Sequence, residues 1–416
     1  MLHYFPLLFA AQLGLGRGAP AHARISVRDG VAVGHVSTWR IGGRELNATT
    51  LSLRPLAFEI DDYLTGEECA SLRRAATPSL EQSATQQGGA AEAQAAPIDA
   101  DGDGRLSAAE LRLTLDHWHA ATLSPAQVLA MAEELELLSP KQRRLARGGG
   151  GGGLGARGLS LKKVGSRKVR AAIAAWVAAL AQRAPLVRNR LSRQAWLRTT
   201  ASPPPVLEAL RGRLVELTGL PEALLGEANT ELQVLSYGRD GHYHHHHDST
   251  ALSPQPCCHV VGSSGSGKCK ACRFATVLYY LNDGAEGGAE GGAEGGGSER
   301  LAGGETAFPV AGRTGDFTGD ASVLDWHLGP SSHSGRYCAE GGGALRVTPK
   351  RGKAVLFYNH ELDEQAGWKG QIDWFSMHAA CPVRAGTKWL ANHWVMLADD
   401  PRDEGPRAED PVRSEL

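Results

Sequence analysis

Five histidines stand between positions 242 and 247, and Asp248 follows them directly. On an extended strand residues i and i+2 face the same way, so His246 and Asp248 aim an imidazole and a carboxylate at one point. Far downstream lie His378 and, ten positions later, Lys388. Two imidazoles and one carboxylate are the donor set that grips one face of a non-haem ferrous ion and leaves three positions open. An ammonium group beyond the second imidazole can hold the far carboxylate of a dicarboxylic acid as a point charge. Adjacent imidazoles also take zinc, copper or nickel opportunistically, so the register has to be argued. Only His246 has the H-x-D relation to Asp248. His244 shares its face on a regular strand and is expected to support it, while His242, His245 and His247 pack or face water.

A second group of oxygen donors runs from Asp99 to Glu110, DADGDGRLSAAE. Carboxylates at loop positions 1, 3, 5 and 12 (Asp99, Asp101, Asp103 and Glu110), with Gly104 at position 6, match a calcium loop of the EF-hand type. Arg105, at position 7, contributes a backbone carbonyl. A solvated acidic turn does not account for Gly104 and Glu110 together. Leu106, Leu111, Leu115 and Trp118 predict the exiting helix, whereas Gly88, Gly89 and Pro97 weaken the entering one. The expected partner loop is replaced by Gly148–Gly153 and by the basic stretch Gly155–Val164, which lacks acids. One calcium site is therefore expected.

These groups have to be positioned by the rest of the chain. Leu53–Ala76 reads as a short strand and then a helix capped by Thr65, with Glu67 and Glu68 in its first turn. Val164–Arg183 is a core helix whose Ile173, Trp176, Val177 and Leu180 share a face. Val206–Leu217 is another helix, ended by Gly219. Strands are predicted at Glu231–Tyr237, Phe274–Leu281, Leu345–Val347 and Ala354–Tyr358. Helices followed by many short strands suggest a β-sandwich with helical support, an α+β chain. On the last strand, alternation puts Lys388, Leu390, Asn392 and Trp394 on one face, with Trp389 and His393 on the other. A near-repeat of Ala-Glu-Gly-Gly over residues 285–296 cannot bury enough apolar surface to offset its ordering entropy and reads as a flexible insertion.

At 416 residues with a net charge of −1 there is room for two domains or one enlarged domain, and no general field for nucleic acid. The apolar run Tyr4–Leu15 leads to Ala21-His22-Ala23, an A-x-A-like cleavage site, and is too short to span a bilayer. A cleaved signal peptide is expected. The sequon Asn47-Ala48-Thr49 agrees with a secretory route, and the terminal Arg413-Ser414-Glu415-Leu416 only loosely resembles a retrieval signal. Of the seven cysteines, Cys257, Cys258, Cys269 and Cys272 fall in one loop near His259. A disulfide or a zinc site can form there, and no pairing follows from spacing.

Taken together, Tyr237-Gly238, Tyr243-x-x-His246-x-Asp248, Thr276–Asn282 (TVLYYLN), Gly303-Gly304-Glu305-Thr306-x-Phe308-Pro309 and the segment His378–Lys388 resemble a known family. It is the 2-oxoglutarate- and Fe(II)-dependent prolyl 4-hydroxylases, in the branch that carries EF-hands and a membrane anchor. The resemblance implies a double-stranded β-helix (jelly-roll) dioxygenase core with supporting helices and a helical EF-hand insert. It implies His246, Asp248 and His378 as iron ligands, Lys388 as the anchor of 2-oxoglutarate, and Tyr243 and Thr276 as its helpers. Arg273 and Trp394 would line a peptide groove, with core packing as the alternative for Trp394. Ascorbate is implied as the reductant that restores Fe(II), a proline-containing peptide or protein as substrate, and the endoplasmic reticulum lumen or secretory pathway as location.

The expected organisation is a signal peptide at 1–23, the start of the catalytic domain within 24–85, and a helical insert at 86–185. The dioxygenase domain follows at 186–398, with a Gly-rich insertion at 284–302, and a tail at 399–416. Two other readings use the same residues. One is a calcium-responsive binding protein on an inactive jelly roll, disfavoured because all three ligands and Lys388 are present. The other is a zinc hydrolase, which lacks H-E-x-x-H and an evident base.

Overall fold

Ala354–Tyr358, AVLFY, is buried at every position, and Leu232–Tyr237 is nearly so. Strands of this kind need cover on both faces, and the fold supplies it. The computed structural model describes residues 24–83, 96–147, 158–198, 204–221, 224–225, 231–249, 271–283, 300–313 and 336–398. Within them the larger sheet has nine strands. Their spatial order is Val36–Ile41, Arg44–Leu53, Leu56–Ile60, Ala354–Tyr358, Ala271–Tyr280, Lys388–Ala398, Leu232–Tyr237, Arg193–Leu197 and Glu81–Gln82. The smaller sheet has five: Leu345–Val347, Thr306–Phe308, His378–Ala380, His242–His246 and Arg190–Leu191.

Side-chain alternation sends the larger sheet in two directions. Val277 and Tyr279 join a core with the helices Gly66–Ala76 and Pro205–Thr218, through Leu72, Leu210 and Leu214. Leu278 and Tyr280 join the opposite core, where Tyr237 and Phe357 meet Phe308 and Val347 of the smaller sheet. Two antiparallel sheets closed over that second core fit a jelly roll.

The helices end where their sequences say. Thr65 accepts from the Glu68 amide while the Glu68 carboxylate accepts from the Thr65 amide, a reciprocal cap. Glu68 also pairs with Arg213 at 2.5 Å, which ties the two supporting helices together. Gly219 closes Pro205–Thr218 with φ +72°, a conformation that suits glycine.

The helices Ala108–His119, Pro125–Glu134 and Arg167–Arg183 bury a separate core of Leu111, Leu115, Trp118, Val128, Met131, Ile173 and Val177. These helices are stitched to the segment that leads into the edge strand Arg190–Leu191 of the smaller sheet by main-chain bonds: Thr122 N to Val187 O at 2.8 Å and Asn189 N to Ala120 O at 2.8 Å. The Asn189 side chain donates to Asp116 and accepts from Thr122 Oγ1, and the Asn189 main-chain carbonyl accepts from the His244 amide at 2.8 Å.

The hairpin Val36–Ile41/Arg44–Leu53 was not anticipated, although Gly42-Gly43 between alternating runs is a recognised hairpin signal. Among the described residues no helix is long and apolar enough to cross a membrane. Residues 1–23, Gly148–Gly153, Cys257, Cys258, His259, Cys269, the 285–296 repeat and the tail from 399 lie outside the described residues.

Candidate active site

His246 and His378 are direct cross-strand partners of the smaller sheet, so their side chains leave the same face. Their ring centroids are 4.4 Å apart. Asp248 lies two residues beyond the end of its strand, where the chain has turned. It still reaches the pair: one carboxylate oxygen is 3.8 Å from His246 Nε2 and the other 3.7 Å from His378 Nε2. One donor atom from each of the three residues falls within a 4.8 Å cluster.

The donor chemistry fits a divalent ion. Each histidine's Nδ1 faces a backbone carbonyl, His244 O at 2.8 Å for His246 and Ser376 O at 3.0 Å for His378. A carbonyl only accepts, so both Nδ1 atoms carry the proton and both Nε2 atoms present a lone pair. Burial, and then the neighbouring His378, push the His246 imidazole well below its usual pKa. Burial alone would raise the Asp248 carboxyl, but His378, Arg273 and His246, with a Thr276 hydrogen bond, hold it well below the usual carboxylate range. His246 and Asp248 are therefore in the states that bind a metal at neutral pH.

Lys388 begins the longest strand, opposite Tyr237. Its side chain is fully buried and, among the described residues, Nζ has no hydrogen-bond partner. Its surroundings are the rings of Tyr237 and Tyr280, at 5.4 and 5.6 Å from Nζ. Burial pushes its pKa down to about 7, with Glu305 pulling the other way. Gly304, at φ +74°, passes so close that a Cβ would come within 3.0 Å of Lys388 Cδ. The Gly303-Gly304-Glu305-Thr306 motif thus leaves room for the lysine. A buried cation without a partner is costly unless a ligand completes it.

Several expectations change. A register shift between Tyr243 and His246 brings residues three apart onto one face, so Tyr243, not His244, stacks on His246 at 3.7 Å. Arg190 covers the Tyr243 ring at 4.6 Å. His244 contributes its carbonyl to His246 and lays its ring on His242. Thr276, expected beside the co-substrate, donates to Asp248 Oδ2 at 2.7 Å. Trp394, expected in a peptide groove, donates its indole N–H to the same oxygen at 3.0 Å. Arg273 stacks on the Trp394 ring at 3.7 Å and reaches the Asp248 carbonyl at 3.4 Å.

A disulfide joins Cys381, three residues after His378, to Cys338. Spacing does not reveal a pair 43 residues apart. Cys272 is also disulfide-bonded, which leaves it unable to serve as a zinc thiolate.

Sequence comparison agrees with this geometry. Residues 232–396 match the 2OG-Fe(II) oxygenase superfamily. The mouse transmembrane prolyl 4-hydroxylase is 31% identical over 387 residues, 88% of this chain and 68% of the relative, and the human protein gives the same figures. The chain belongs to the 2-oxoglutarate- and Fe(II)-dependent prolyl 4-hydroxylases. As a member it is a 2-oxoglutarate-dependent dioxygenase, and Fe(II) and 2-oxoglutarate are the cofactors its family implies. The bovine prolyl 4-hydroxylase subunit alpha-1 is 28% identical over 209 residues, half of this chain and 27% of the subunit. Among solved structures, the viral collagen prolyl hydroxylase of Paramecium Bursaria Chlorella virus-1 with 2OG is 21% identical. The match covers 54% of this chain and 87% of that structure's chain at a TM-score of 0.30.

In the acidic loop the carboxylates of Asp99, Asp101 and Asp103 converge within the same 4.8 Å limit. Arg105–Leu106 pairs with Leu159–Ser160, so the basic stretch supplies the strand that a partner loop would. Glu110 accepts from the Ala100 and Ser107 amides, both at 2.8 Å, and so closes the loop onto the helix it caps.

Proposed function

We propose that this chain hydroxylates peptidyl proline at C4, with Fe(II) held by His246, Asp248 and His378 and with 2-oxoglutarate anchored by Lys388. The observation that carries the reading is the completely buried Lys388 ammonium, without a hydrogen-bond partner among the described residues and set in the same sandwich as the His/Asp/His cluster. A dicarboxylate explains both at once. Its 2-oxo acid end would bind at the metal held by His246, Asp248 and His378, and its far carboxylate would supply the anion that Lys388 lacks.

Bound there, Fe(II) and 2-oxoglutarate would activate dioxygen, one oxygen atom passing into succinate as CO2 leaves and the other to the prolyl C4. The chain contributes orientation and dryness. The Nδ1–carbonyl bonds fix both imidazoles, and Tyr237, Tyr280 and Gly304 shape the slot for the co-substrate. Tyr243, stacked on His246, walls the cavity. Ascorbate restores Fe(II) after uncoupled turnover, and the substrate is a proline-containing peptide or protein. The Cys338–Cys381 bridge supports an oxidising compartment, the endoplasmic reticulum lumen or secretory route.

The test is turnover of 2-oxoglutarate with a proline-containing peptide, followed as succinate release and a one-oxygen mass gain. Wild-type protein with Fe(II) and ascorbate is expected to give both, and His246→Ala neither. Unchanged activity in that variant removes the metal assignment.

We further propose that Asp99, Asp101, Asp103, the Arg105 carbonyl and Glu110 bind one Ca²⁺ ion. At a hundredfold excess over Kd, calcium should stabilise the chain by about 2.7 kcal/mol. In a double variant, Asp101→Asn with Asp103→Asn, the rise in melting temperature should disappear. An equal rise in both proteins places the ion elsewhere.

A further inference from the structure

We infer that Thr276 and Trp394 are positioning residues for Asp248: two donors from adjacent strands set the carboxylate that the histidines need. The inference rests on the reading of His246, Asp248 and His378 as the metal ligands. The two histidines come from paired strands of the smaller sheet, which fixes them rigidly. Asp248 has no such support, because it lies beyond the strand end. Its constraint comes from the opposite wall of the sandwich.

Thr276 and Trp394 are cross-strand partners in the larger sheet, and both point at Asp248 Oδ2, at 2.7 and 3.0 Å. The direction of the first bond is determined. Asn359 Nδ2 lies 2.9 Å from Thr276 Oγ1 and can only donate, so the threonine hydroxyl accepts there and donates to the carboxylate. A relay of donors therefore runs from Asn359 through Thr276 to Asp248, and all three side chains are buried. The indole is held in turn. Arg273 lies 3.7 Å above its ring, and Trp196 packs against it with centroids 5.7 Å apart.

Hydrogen bonds to an ionised acceptor are the stronger kind, and two on one oxygen fix the carboxylate's plane as well as its reach. A ligand on a turn lacks the strand pairing that fixes the two histidines, and looseness in a ligand lowers metal affinity. Partners of this sort typically set affinity by about 10- to 100-fold. The indole and hydroxyl thus act through Asp248 before any co-substrate or peptide arrives.

The experiment is anaerobic titration of the metal-free full chain with Fe(II), and with Mn(II) as a redox-inert stand-in, in the absence of peptide. Trp394→Phe keeps an aromatic ring and loses the N–H. Thr276→Val keeps the shape and loses the hydroxyl, and Thr276→Ser restores it. Affinity should fall about 10- to 100-fold in the Phe and Val variants and recover in the Ser variant. Melting temperatures of the metal-free proteins separate this from loss of fold, and Thr276→Val, being nearly isosteric, carries the test if the tryptophan variant unfolds. Asp248→Ala is the reference. If it binds metal like wild type, the ligand assignment itself fails. If it loses the metal while Trp394→Phe or Thr276→Val binds as wild type, the positioning role alone is overturned.

Discussion

Replacing Lys388 by methionine should nearly abolish use of 2-oxoglutarate while making the empty protein more stable. Truncating one partner of a buried charge pair costs about 2–5 kcal/mol, which is roughly a thirtyfold to few-thousandfold rise in KM for the co-substrate. Metal affinity without co-substrate should not move, because Lys388 touches none of the three ligands. The gain in stability follows from the burial of a cation with no hydrogen-bond partner among the described residues. Relieving an unsatisfied buried group of this kind is worth about 1–3 kcal/mol.

The pH dependence follows from the direction of the shift. Burial lowers Lys388 from 10.5 to about 7 in the fold. Below about 7 both folded and unfolded forms carry the proton and the wild-type penalty is complete. Between 7 and 10.5 the unfolded chain holds the proton and the folded one does not, so wild-type stability rises with pH through that window. The methionine variant's advantage should shrink over the same range. In the wild type, KM for 2-oxoglutarate should climb above pH 7, because the ligand must then bring a proton with it. Denaturant melts and KM measured across this range decide the matter. A variant less stable than wild type at pH 6, with normal KM, contradicts the account.

The second large effect is expected at Phe357, where packing and chemistry meet. Its ring is fully buried, 5.1 Å from Phe308 and 4.8 Å from His378. Removing a core phenylalanine costs about 3–5 kcal/mol, a large part of the 5–15 kcal/mol by which domains are stable. Phe357→Ala should therefore lower the melting temperature by roughly 6–20 °C. Metal affinity should fall too, because the void opens beside one of the two imidazoles. A drop of only a degree or two, with metal binding intact, would mean that His378 is held by its strand and its Ser376 carbonyl alone.

The residues that can carry chemistry were legible because their types are scarce and their offsets informative. His246, Asp248, His378 and Lys388 follow from H-x-D and a ten-residue interval. Their support was not. A regular strand was the natural reading of the histidine run, but a register shift turns Tyr243 toward His246 and the strand stops before Asp248. Alternation correctly put Trp394 on the face of Lys388, yet its partner depends on the pairing of strands more than a hundred residues apart in sequence. The bond from Thr276 to Asp248 was hidden for the same reason. Strands with strong apolar runs, such as Ala354–Tyr358, declared themselves. Short polar ones like Arg190–Leu191 exist only because a neighbour offers hydrogen bonds.

The link between the helical insert and the His242–His246 strand has a consequence for the architecture. One flank of that strand is paired with His378–Ala380, and the other is met by Asn189 to Leu191. This second flank is short, and Asn189 is held in place by Asp116 and Thr122 of the insert. Excising the helices would strip Asn189 of those anchors and loosen the short segment that covers this rim of the His242–His246 strand, exposing its amides and carbonyls to pairing with another chain. The insert is therefore no removable accessory. It is the hem that finishes the cloth at the place where the chemistry is done.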